Sequence, residues 1–167
     1  MSVGIGYDSH RLQIGRKLIL GGVEIPHDLG LAGHSDADVL VHAVIDALLG
    51  AAALGDIGQH FPDSDERYLG ISSTQLLQQV QQLLDDHKLR VVNVDVSVIM
   101  ERPKLAQHIP FMRHNVASML KLPLRSVSIK AKTNEGMGFV GNGEGVAAIA
   151  VAQVGDAGIR PAGDMHV

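Results

Sequence analysis

The sequence predicts a single-domain α+β fold, a mixed β-sheet with helices packed on one face. Roughly five strand-like and three helix-like segments follow one another in mixed order. A length of 167 residues suits one domain with a sizeable core. We expect residues 1–154 to form this domain. Residues 155–167 hold glycine, proline and polar residues without periodicity, so they are expected to form a flexible C-terminal tail.

The N-terminal third is predicted to hold two strands and a buried helix. Residues 3–10 read as a strand weakened by glycines, which in strands often mark a close approach of backbone or ligand. Residues 17–20 form a short strand or hairpin arm that ends at a glycine pair. Ser35 is expected to cap the next helix, with Asp38 completing a pair like a capping box. That helix, residues 39–49, is apolar almost all round and is therefore predicted to be buried.

The remaining elements follow from periodicity. Leucine and valine recur with helical spacing over 72–84, and valines alternate with polar residues over 92–98, which predicts a helix and a half-buried strand. A third helix is expected over 110–120, with proline in its first turn. Strands are predicted at 127–131 and 146–154. The second of these consists of small apolar residues and is expected to be buried on both faces.

Composition excludes several classes of function. The formal net charge of -4 and the lack of a basic run argue against nucleic acid and anionic membranes as partners. The sequence has no apolar stretch of 18 residues and no secretory-signal pattern, so we expect a cytoplasmic protein. Cysteine is absent, which excludes disulfides and thiolate catalysis. Any metal site must therefore use the nine histidines and the carboxylates.

One constellation has the composition of a metal site. Asp8 and His10 project from the same face of their strand because side chains alternate, so both can chelate one ion. His42, a polar residue in an apolar helix, can supply a third ligand and leave one coordination position open. Asp46 lies one helical turn further on and is predicted to orient the imidazole. The alternative is a core histidine beside a chance pair. The cost of burying unpartnered polar groups favours the metal.

Three loops have both a functional and an ordinary interpretation. Residues 55–65 carry glycine, proline and three aspartates, so they can clamp sugar hydroxyls or a cation, although composition alone favours a solvated turn. Residues 130–139 offer lysine, a threonine hydroxyl and backbone N–H groups to phosphates, and Glu135 can hold Mg²⁺. The alternative is a lysine-bearing glycine turn. Residues 100–106 can read a base edge through their backbone, but resemble an ordinary strand-to-helix loop.

Together these motifs resemble those of the 2-C-methyl-D-erythritol 2,4-cyclodiphosphate synthases, in register from about Gly4 to Val154. The matching motifs are Asp8-x-His10, His34-Ser35-Asp36-x-Asp38, His42, Gly55-Asp56-Ile57-Gly58, Phe61-Pro62-Asp63-x-Asp65, Pro103-Lys104, Lys130-Ala131-x-Thr133 and Gly141-x-Gly143-Glu144-Gly145. The resemblance implies a lyase of the non-mevalonate isoprenoid (terpenoid) pathway. Its reaction converts 4-diphosphocytidyl-2-C-methyl-D-erythritol 2-phosphate to the 2,4-cyclodiphosphate and CMP.

The resemblance also implies roles for individual residues. Asp8, His10 and His42 bind one zinc ion per subunit, Glu135 holds Mg²⁺ or Mn²⁺ with the substrate, and the catalytic residues are His34 and Thr133. Segments 56–65, 100–106 and 132–135 bind the methylerythritol, cytidine and phosphate parts respectively. The full set of implied substrate-binding residues is Asp8, Ser9, His10, His34, Ser35, Asp56, Ile57, Gly58, Phe61, Pro62, Asp63, Ser64, Asp65, Met100, Glu101, Arg102, Pro103, Lys104, Leu105, Ala106, Lys132, Thr133, Asn134, Glu135, Phe139 and Asn142.

The resemblance further implies a homotrimer with active sites between subunits and a central cavity that can bind an isoprenoid diphosphate. Phe139 and Glu144 match that cavity, but an arginine common in relatives is Asn142 here, which argues against diphosphate capture and not against catalysis. Two alternatives stay open. A zinc phosphohydrolase would use the same ligands to activate water. A trimeric binding protein would need a closed structural metal site, and no obvious fourth protein ligand accompanies the three.

Overall fold

The computed structural model describes residues 1–158, which form a sheet with helices on one face. The strands are β1 (Ser2–Ile14), β2 (Leu18–Leu20), β3 (Val23–Ile25), β4 (Leu29–Leu31), β5 (Leu89–Ile99), β6 (Val127–Lys132) and β7 (Gly145–Asp156). The helices are α1 (Val39–Ala51), α2 (Ile57–His60), α3 (Ser73–Asp86), α4 (Ile109–Met119) and α5 (Gly138–Gly141), with 3₁₀ turns at Glu66–Tyr68 and Leu124–Ser126. Within the described range, no helix is long and apolar enough to cross a membrane.

The main sheet has five strands in the order β4-β1-β7-β5-β6, and β2 pairs with β3 in a separate hairpin. Strand β7 is central and runs antiparallel to both β1 and β5. Strand β6 runs parallel to β5 at one edge. The sheet is therefore mixed, which confirms the predicted fold class. The register places Ser9, Ala147, Ile99 and Lys132 side by side across four strands.

Helix α1 packs directly on the backbone of β1. A Cβ built on Gly6 would lie 2.0 Å from the carbonyl oxygen of Ala43, and one built on Gly4 would lie 2.1 Å from that of Ala47. Only hydrogen fits in this space, which is the close approach that the glycines of β1 predicted. All of α1 is buried except Asp46 and Gly50, so the predicted buried helix is confirmed.

The opposite face of the sheet is apolar along β1 and β7. Val3, Ile5 and Tyr7 on β1 are 65%, 70% and 54% exposed, and Ile149 and Val151 on β7 are 41% exposed. Ile5 is paired with Val151 and Tyr7 with Ile149, so the side chains form one contiguous outer patch. The prediction that residues 146–154 are buried on both faces is therefore wrong for the single chain, because every second side chain of β7 faces outward.

Two boundaries differ from prediction, and four short elements are not predicted by the sequence. Strand β7 pairs with Leu89 as far as Asp156, so the predicted tail begins inside a strand; residues 159–167 lie outside the described residues. Helix α1 is capped by Asp38, whose side chain accepts from the Val41 N–H at 3.1 Å, and not by Ser35. The elements β3, β4, α2 and α5 have only three or four residues each, which is too short to give a periodic pattern.

Candidate metal centre and substrate site

Asp8, His10 and His42 converge where β1 faces α1. Asp8 Oδ2 lies 2.9 Å from His10 Nε2 and 3.0 Å from His42 Nδ1, and the two nitrogens are 3.2 Å apart. The ligand atoms of all three residues lie within 4.8 Å of one another. Alternation in β1 and the close packing of α1 thus bring the predicted metal ligands to one point.

The hydrogen bonds outside this cluster test whether a metal fits. His10 Nδ1 lies 2.8 Å from the carbonyl oxygen of Ala32, which only accepts, so Nδ1 carries the proton and Nε2 presents a lone pair to the cluster. His42 Nε2 contacts hydroxyls, and its Nδ1 faces Asp8. Two imidazole lone pairs and a carboxylate oxygen then point at one another, an arrangement that needs a cation or an extra proton. Zn²⁺ accepts this set of donors.

Electrostatics supports the same conclusion. Burial opposes ionisation of Asp8, but its close contacts with the His10 and His42 rings outweigh it and hold the pKa of Asp8 well below its usual range. Burial likewise lowers the pKa of His10, yet the hydrogen bond and charge of Asp8 outweigh it and raise that pKa. The cluster therefore combines a fixed negative charge on Asp8 with a His10 ring whose pKa that charge raises.

The partner that orients His42 is not the predicted one. Asp46 Oδ1 accepts from the Ile57 N–H at 2.8 Å, and burial raises the pKa of this carboxyl. Asp46 thus anchors the start of α2, and the prediction that it orients His42 is wrong. The His42 Nε2 atom instead lies 2.8 Å from Ser73 Oγ and 3.2 Å from Ser35 Oγ. Sequence analysis missed Ser73 because it stands in a Ser-Ser-Thr run that looks like a helix cap.

A cavity of about 370 Å³ opens beside the metal cluster. It is closed on one side by the loop that holds α2 and on the other by the segment that precedes α1. The predicted site residues that line it are Asp8, His10, His34, Ser35, His42, Asp46, Ile57, Gly58, Phe61, Pro62 and Asp63. The structure thus brings the predicted metal ligands and most of the predicted methylerythritol-binding residues into one space.

Several predicted residues have other positions or partners. Asp56 caps α2 by accepting from the Gln59 N–H, and Asp65 holds Arg67 in an exposed ion pair at 2.6 Å. Ser64 is exposed and does not line the cavity. Ser9 points to the outer face, where it lines a small depression with Phe139.

A second group of predicted residues lies at the opposite edge of the sheet. Glu101 accepts from the backbone N–H groups of Asn134 at 2.7 Å and Gly136 at 3.3 Å, so its carboxylate clamps the turn that follows β6. Within this turn the Thr133 hydroxyl donates to Glu135, whose φ of 52° lies in the left-handed region. The predicted cytidine segment and phosphate segment are therefore joined by one side chain.

The side chains around this second group divide between core and surface. Met100 and Leu105 are buried. Arg102, Lys104, Ala106 and Lys132 are exposed, and Pro103 is partly exposed and follows a cis peptide bond. A second cavity of about 270 Å³ is lined by Met100, Glu101, Arg102 and Asn142, and Asn142 donates to Glu144 at 3.3 Å.

These two groups do not meet within one chain. Ser9 and Lys132 lie in the same row of the sheet, separated by three strand spacings of roughly 4.8 Å, about 14 Å in all. No residue of segments 100–106 or 132–135 lines the cavity beside the metal cluster. The predicted site residues therefore form two separate groups in the single chain, which we name for their predicted ligands: the metal half-site around Asp8, His10 and His42, and the nucleotide half-site around residues 100–106 and 132–135.

Comparison with known proteins gives consistent matches. The YgbB family profile matches residues 1–155. The 2-C-methyl-D-erythritol 2,4-cyclodiphosphate synthase of Alkaliphilus metalliredigens (strain QYMF) is 59% identical over 93% of this chain and 98% of its own length.

Two solved structures extend the match to three dimensions. One is a 2C-methyl-D-erythritol-2,4-cyclodiphosphate synthase in its CDP-bound form, with a TM-score of 0.84 and 36% identity over 92% of this chain and 99% of that one. The other is the bifunctional IspDF from Campylobacter jejuni, with a TM-score of 0.89 and 37% identity over 93% of this chain and 43% of that one. The chain therefore belongs to the YgbB family, the family of the 2-C-methyl-D-erythritol 2,4-cyclodiphosphate synthases that its motifs resemble.

Proposed function

We propose that this chain catalyses its family's ring closure at a site completed between copies of the chain, with zinc held by Asp8, His10 and His42. In this reaction the 2-phosphate of 4-diphosphocytidyl-2-C-methyl-D-erythritol 2-phosphate attacks the β-phosphorus of the same molecule. A P–O–P bond forms, the bond to the α-phosphate breaks, and CMP leaves. The observation that carries the proposal is the convergence of three ligand atoms beside a cavity lined by His34 and the α2 loop.

The chemistry asks mainly for positioning and neutralisation of charge. The nucleophile is already an anionic phosphate, so no strong general base is needed, and bringing the two phosphates of one molecule together is a problem of orientation. When bound, zinc supplies a Lewis acid for a phosphoryl oxygen. The pathway assignment to isoprenoid precursors, and the classification as a lyase, come with the family.

Within this scheme the metal half-site binds the sugar end of the substrate. The loop from Asp56 to Asp65 contacts the methylerythritol unit through Ile57, Gly58 and residues 61–63, which line the cavity beside the ligands. His34 and Ser35 also face this cavity and contact the reacting phosphate. His34 is the first of the two proposed transition-state stabilisers; its ring nitrogen lies 3.4 Å from the Asp65 carbonyl, a weak contact that leaves it available to a phosphate oxygen.

The nucleotide half-site binds the rest of the substrate. Residues 100–106 hold the cytidine through their backbone, and residues 132–135 hold the phosphates. Thr133 is the second proposed transition-state stabiliser. Glu135 holds Mg²⁺ or Mn²⁺ together with the substrate phosphates, a role that one carboxylate can fill because Mg²⁺ usually takes several ligands from phosphates and water.

The homotrimer is proposed because two features of the single chain need a partner. The strands β1 and β6, next to which the two half-sites lie, are about 14 Å apart in one sheet, so in this proposal a neighbouring copy supplies the missing half. The outer patch exposes five apolar side chains on one face, which is typical of a surface that another chain covers. An isoprenoid diphosphate is a further proposed ligand of the outer face, near the depression lined by Phe139 and Glu144. The proposed location is the cytoplasm.

The reaction is tested by incubating the purified chain with the diphosphocytidyl substrate, Zn²⁺ and Mg²⁺, and following phosphorus NMR. We expect a coupled pair of cyclic diphosphate resonances and equimolar CMP. The alternative phosphohydrolase predicts CMP together with linear phosphates that incorporate heavy oxygen from labelled water. Linear products alone would refute the cyclase proposal.

The shared site is tested with hybrid oligomers. His42→Ala removes a ligand of the metal half-site, and Glu135→Ala removes the proposed Mg²⁺ or Mn²⁺ ligand of the nucleotide half-site. Each variant alone should therefore be inactive or nearly so while it remains folded. Chains with the two substitutions, refolded together, should regain activity wherever an intact metal half-site meets an intact nucleotide half-site. Absence of any recovery in mixed oligomers would place both halves of the site in one chain.

A further inference from the structure

We infer that Ser73 and Asp36 form a hydrogen-bond relay that positions the His42 imidazole and fixes which of its nitrogens faces the metal. The inference rests on the proposed metal site. It concerns two residues that are distant from β1 in the sequence. Ser73 is the first residue of α3, and Asp36 lies in the loop before α1. Both are positioning residues, because they act on the metal through His42.

The relay is defined by four contacts. Ser73 Oγ lies 2.8 Å from His42 Nε2, and the same hydroxyl donates its proton to Asp36 Oδ1. Asp36 Oδ2 accepts the backbone N–H of Ser73 at 3.0 Å, and Oδ1 also accepts the N–H of Asp38 at 3.3 Å. Ser73 is 0% exposed, so solvent cannot take the place of either partner.

The direction of these hydrogen bonds determines the tautomer of His42. A serine hydroxyl has one proton, and Asp36, which accepts every hydrogen bond that reaches it, takes that proton. The Ser73 oxygen can then only accept from His42, so Nε2 must carry the ring proton. The lone pair of the neutral ring is therefore on Nδ1, the atom that faces Asp8 and His10. With the opposite tautomer, a proton on Nδ1 would block the metal.

The contact of His42 with Ser35 would not by itself fix the tautomer of the imidazole. Ser35 Oγ is 3.2 Å from His42 Nε2 and accepts the Ala37 N–H, which leaves its own proton free. Ser35 can therefore donate to Nε2 or accept from it, and both tautomers satisfy it. Of the two hydroxyls that contact His42 Nε2, only that of Ser73 is committed to a single direction.

A purely structural role is the rival interpretation. Helix α3 receives no side-chain cap from Ser72, and Asp36 supplies one by accepting the Ser73 N–H. Loss of Asp36 or Ser73 would then destabilise the helix whether or not a metal binds. The test must therefore separate the metal affinity from the stability of the metal-free fold.

The experiment measures Zn²⁺ affinity by competition with a chromophoric chelator, together with urea unfolding of the metal-free and Zn²⁺-loaded oligomer. We expect Ser73→Ala to weaken Zn²⁺ binding about 10- to 100-fold. The stabilisation that Zn²⁺ adds should fall by about 1.4 kcal/mol for each tenfold loss of affinity. Ser72→Ala is the matched control: its hydroxyl bonds to Thr74 and not to His42, so Zn²⁺ affinity should stay unchanged.

Asp36→Asn gives an independent variant should Ser73→Ala fail to fold. An amide can turn an N–H towards Ser73, which frees the serine proton for His42 and weakens Zn²⁺ binding. In chains that carry both changes, Asp36→Asn should add nothing to the loss caused by Ser73→Ala, since both act through one relay.

The outcomes separate this inference from the proposed function. If the unmodified chain binds Zn²⁺ and forms the cyclic product, but Ser73→Ala or Asp36→Asn binds Zn²⁺ as tightly, the relay is refuted and the function stands. The same holds if both variants lose stability equally with and without Zn²⁺. If the unmodified chain binds no Zn²⁺, the metal assignment and the relay both fail.

Discussion

Gly6→Ala is expected to damage the metal site although residue 6 contacts neither metal nor substrate. Gly6 lies on β1 directly beneath α1, two residues before Asp8. A Cβ at this position would meet backbone: it would lie 2.0 Å from the carbonyl oxygen and 2.9 Å from the carbonyl carbon of Ala43. Backbone atoms of a buried helix cannot rotate aside as a side-chain tip can, so the whole turn of α1 has to move.

The size of this movement follows from the contact distance. Ordinary van der Waals contact begins at 3.4 Å, so relief of the 2.0 Å contact requires a separation about 1.4 Å larger. His42 is the neighbour of Ala43 and moves with it. Metal sites tolerate deviations of only about 0.2 Å in ligand distance, so we expect Zn²⁺ affinity to fall by at least about 100-fold. Overpacking against backbone should also lower the free energy of unfolding by about 3 kcal/mol.

The assay combines urea unfolding of the metal-free chain with chelator competition for Zn²⁺. Gly50→Ala is the control on the same helix, because a Cβ there finds only the Ile5 carbonyl oxygen, at 3.9 Å. This control should keep full Zn²⁺ affinity and gain up to about 1 kcal/mol from helix propensity. A Gly6→Ala chain that binds Zn²⁺ as tightly as the parent would refute the reasoning that the glycine contact sets the ligand geometry.

Three further changes test the fold, the loop clamp and the assembly. Burial raises the pKa of Asp38 to about 6, so the protonated carboxyl stabilises the fold below pH 4 and this stabilisation is lost as pH rises through 6. Relative to Asp38→Asn, the parent should lose about 3 kcal/mol of unfolding free energy between pH 3.5 and 7, measured in urea. A difference between parent and variant that stays constant over this range would contradict the prediction. Glu101→Ala removes the carboxylate that accepts two N–H groups of the turn after β6. KM for the substrate should therefore rise about 10-fold, with Zn²⁺ affinity unchanged. An unaltered KM in steady-state kinetics would argue against the role of Glu101 as a clamp. Ile5→Asp puts a charge in the outer patch and should give folded monomers in light scattering, whereas Ile14→Asp, exposed outside the patch, should leave the oligomer intact.

The parts of the site that could be predicted from sequence follow from local geometry. Asp8 and His10 were predictable because alternation along a strand places them on one face, and His42 was predictable because a lone imidazole stands out in an apolar helix. Ser73 and Glu101 could not be assigned their contacts, since both depend on which loops become neighbours across the fold. Asp46 was misassigned because helical spacing places it near His42, and nothing in the spacing indicates that the Ile57 N–H is closer.

The fold was predictable to the same degree. Long periodic segments such as α3 and β5 were found, whereas strands of three residues carry too few positions to show a period. The outward face of β7 was misjudged for a different reason. Apolar residues at Ile149 and Val151 indicate burial, but the single chain does not cover them. Hydropathy alone therefore does not distinguish a strand that one chain buries on both faces from a strand with an exposed apolar face.

The central position of β7 has a consequence for the order of folding. The strand inserted between β1 and β5 comes about 145 residues after β1 begins, so the middle of the sheet is made of the most distant pairings along the chain. Until β7 has left the ribosome, β1 has only the three-residue β4 as a partner. Contacts of such long sequence separation slow folding, because closing the intervening loop costs conformational entropy before the strand pairing can offset it. Asp8 and His10 therefore acquire their fixed geometry late, and a nascent chain that is still missing β7 should bind zinc poorly.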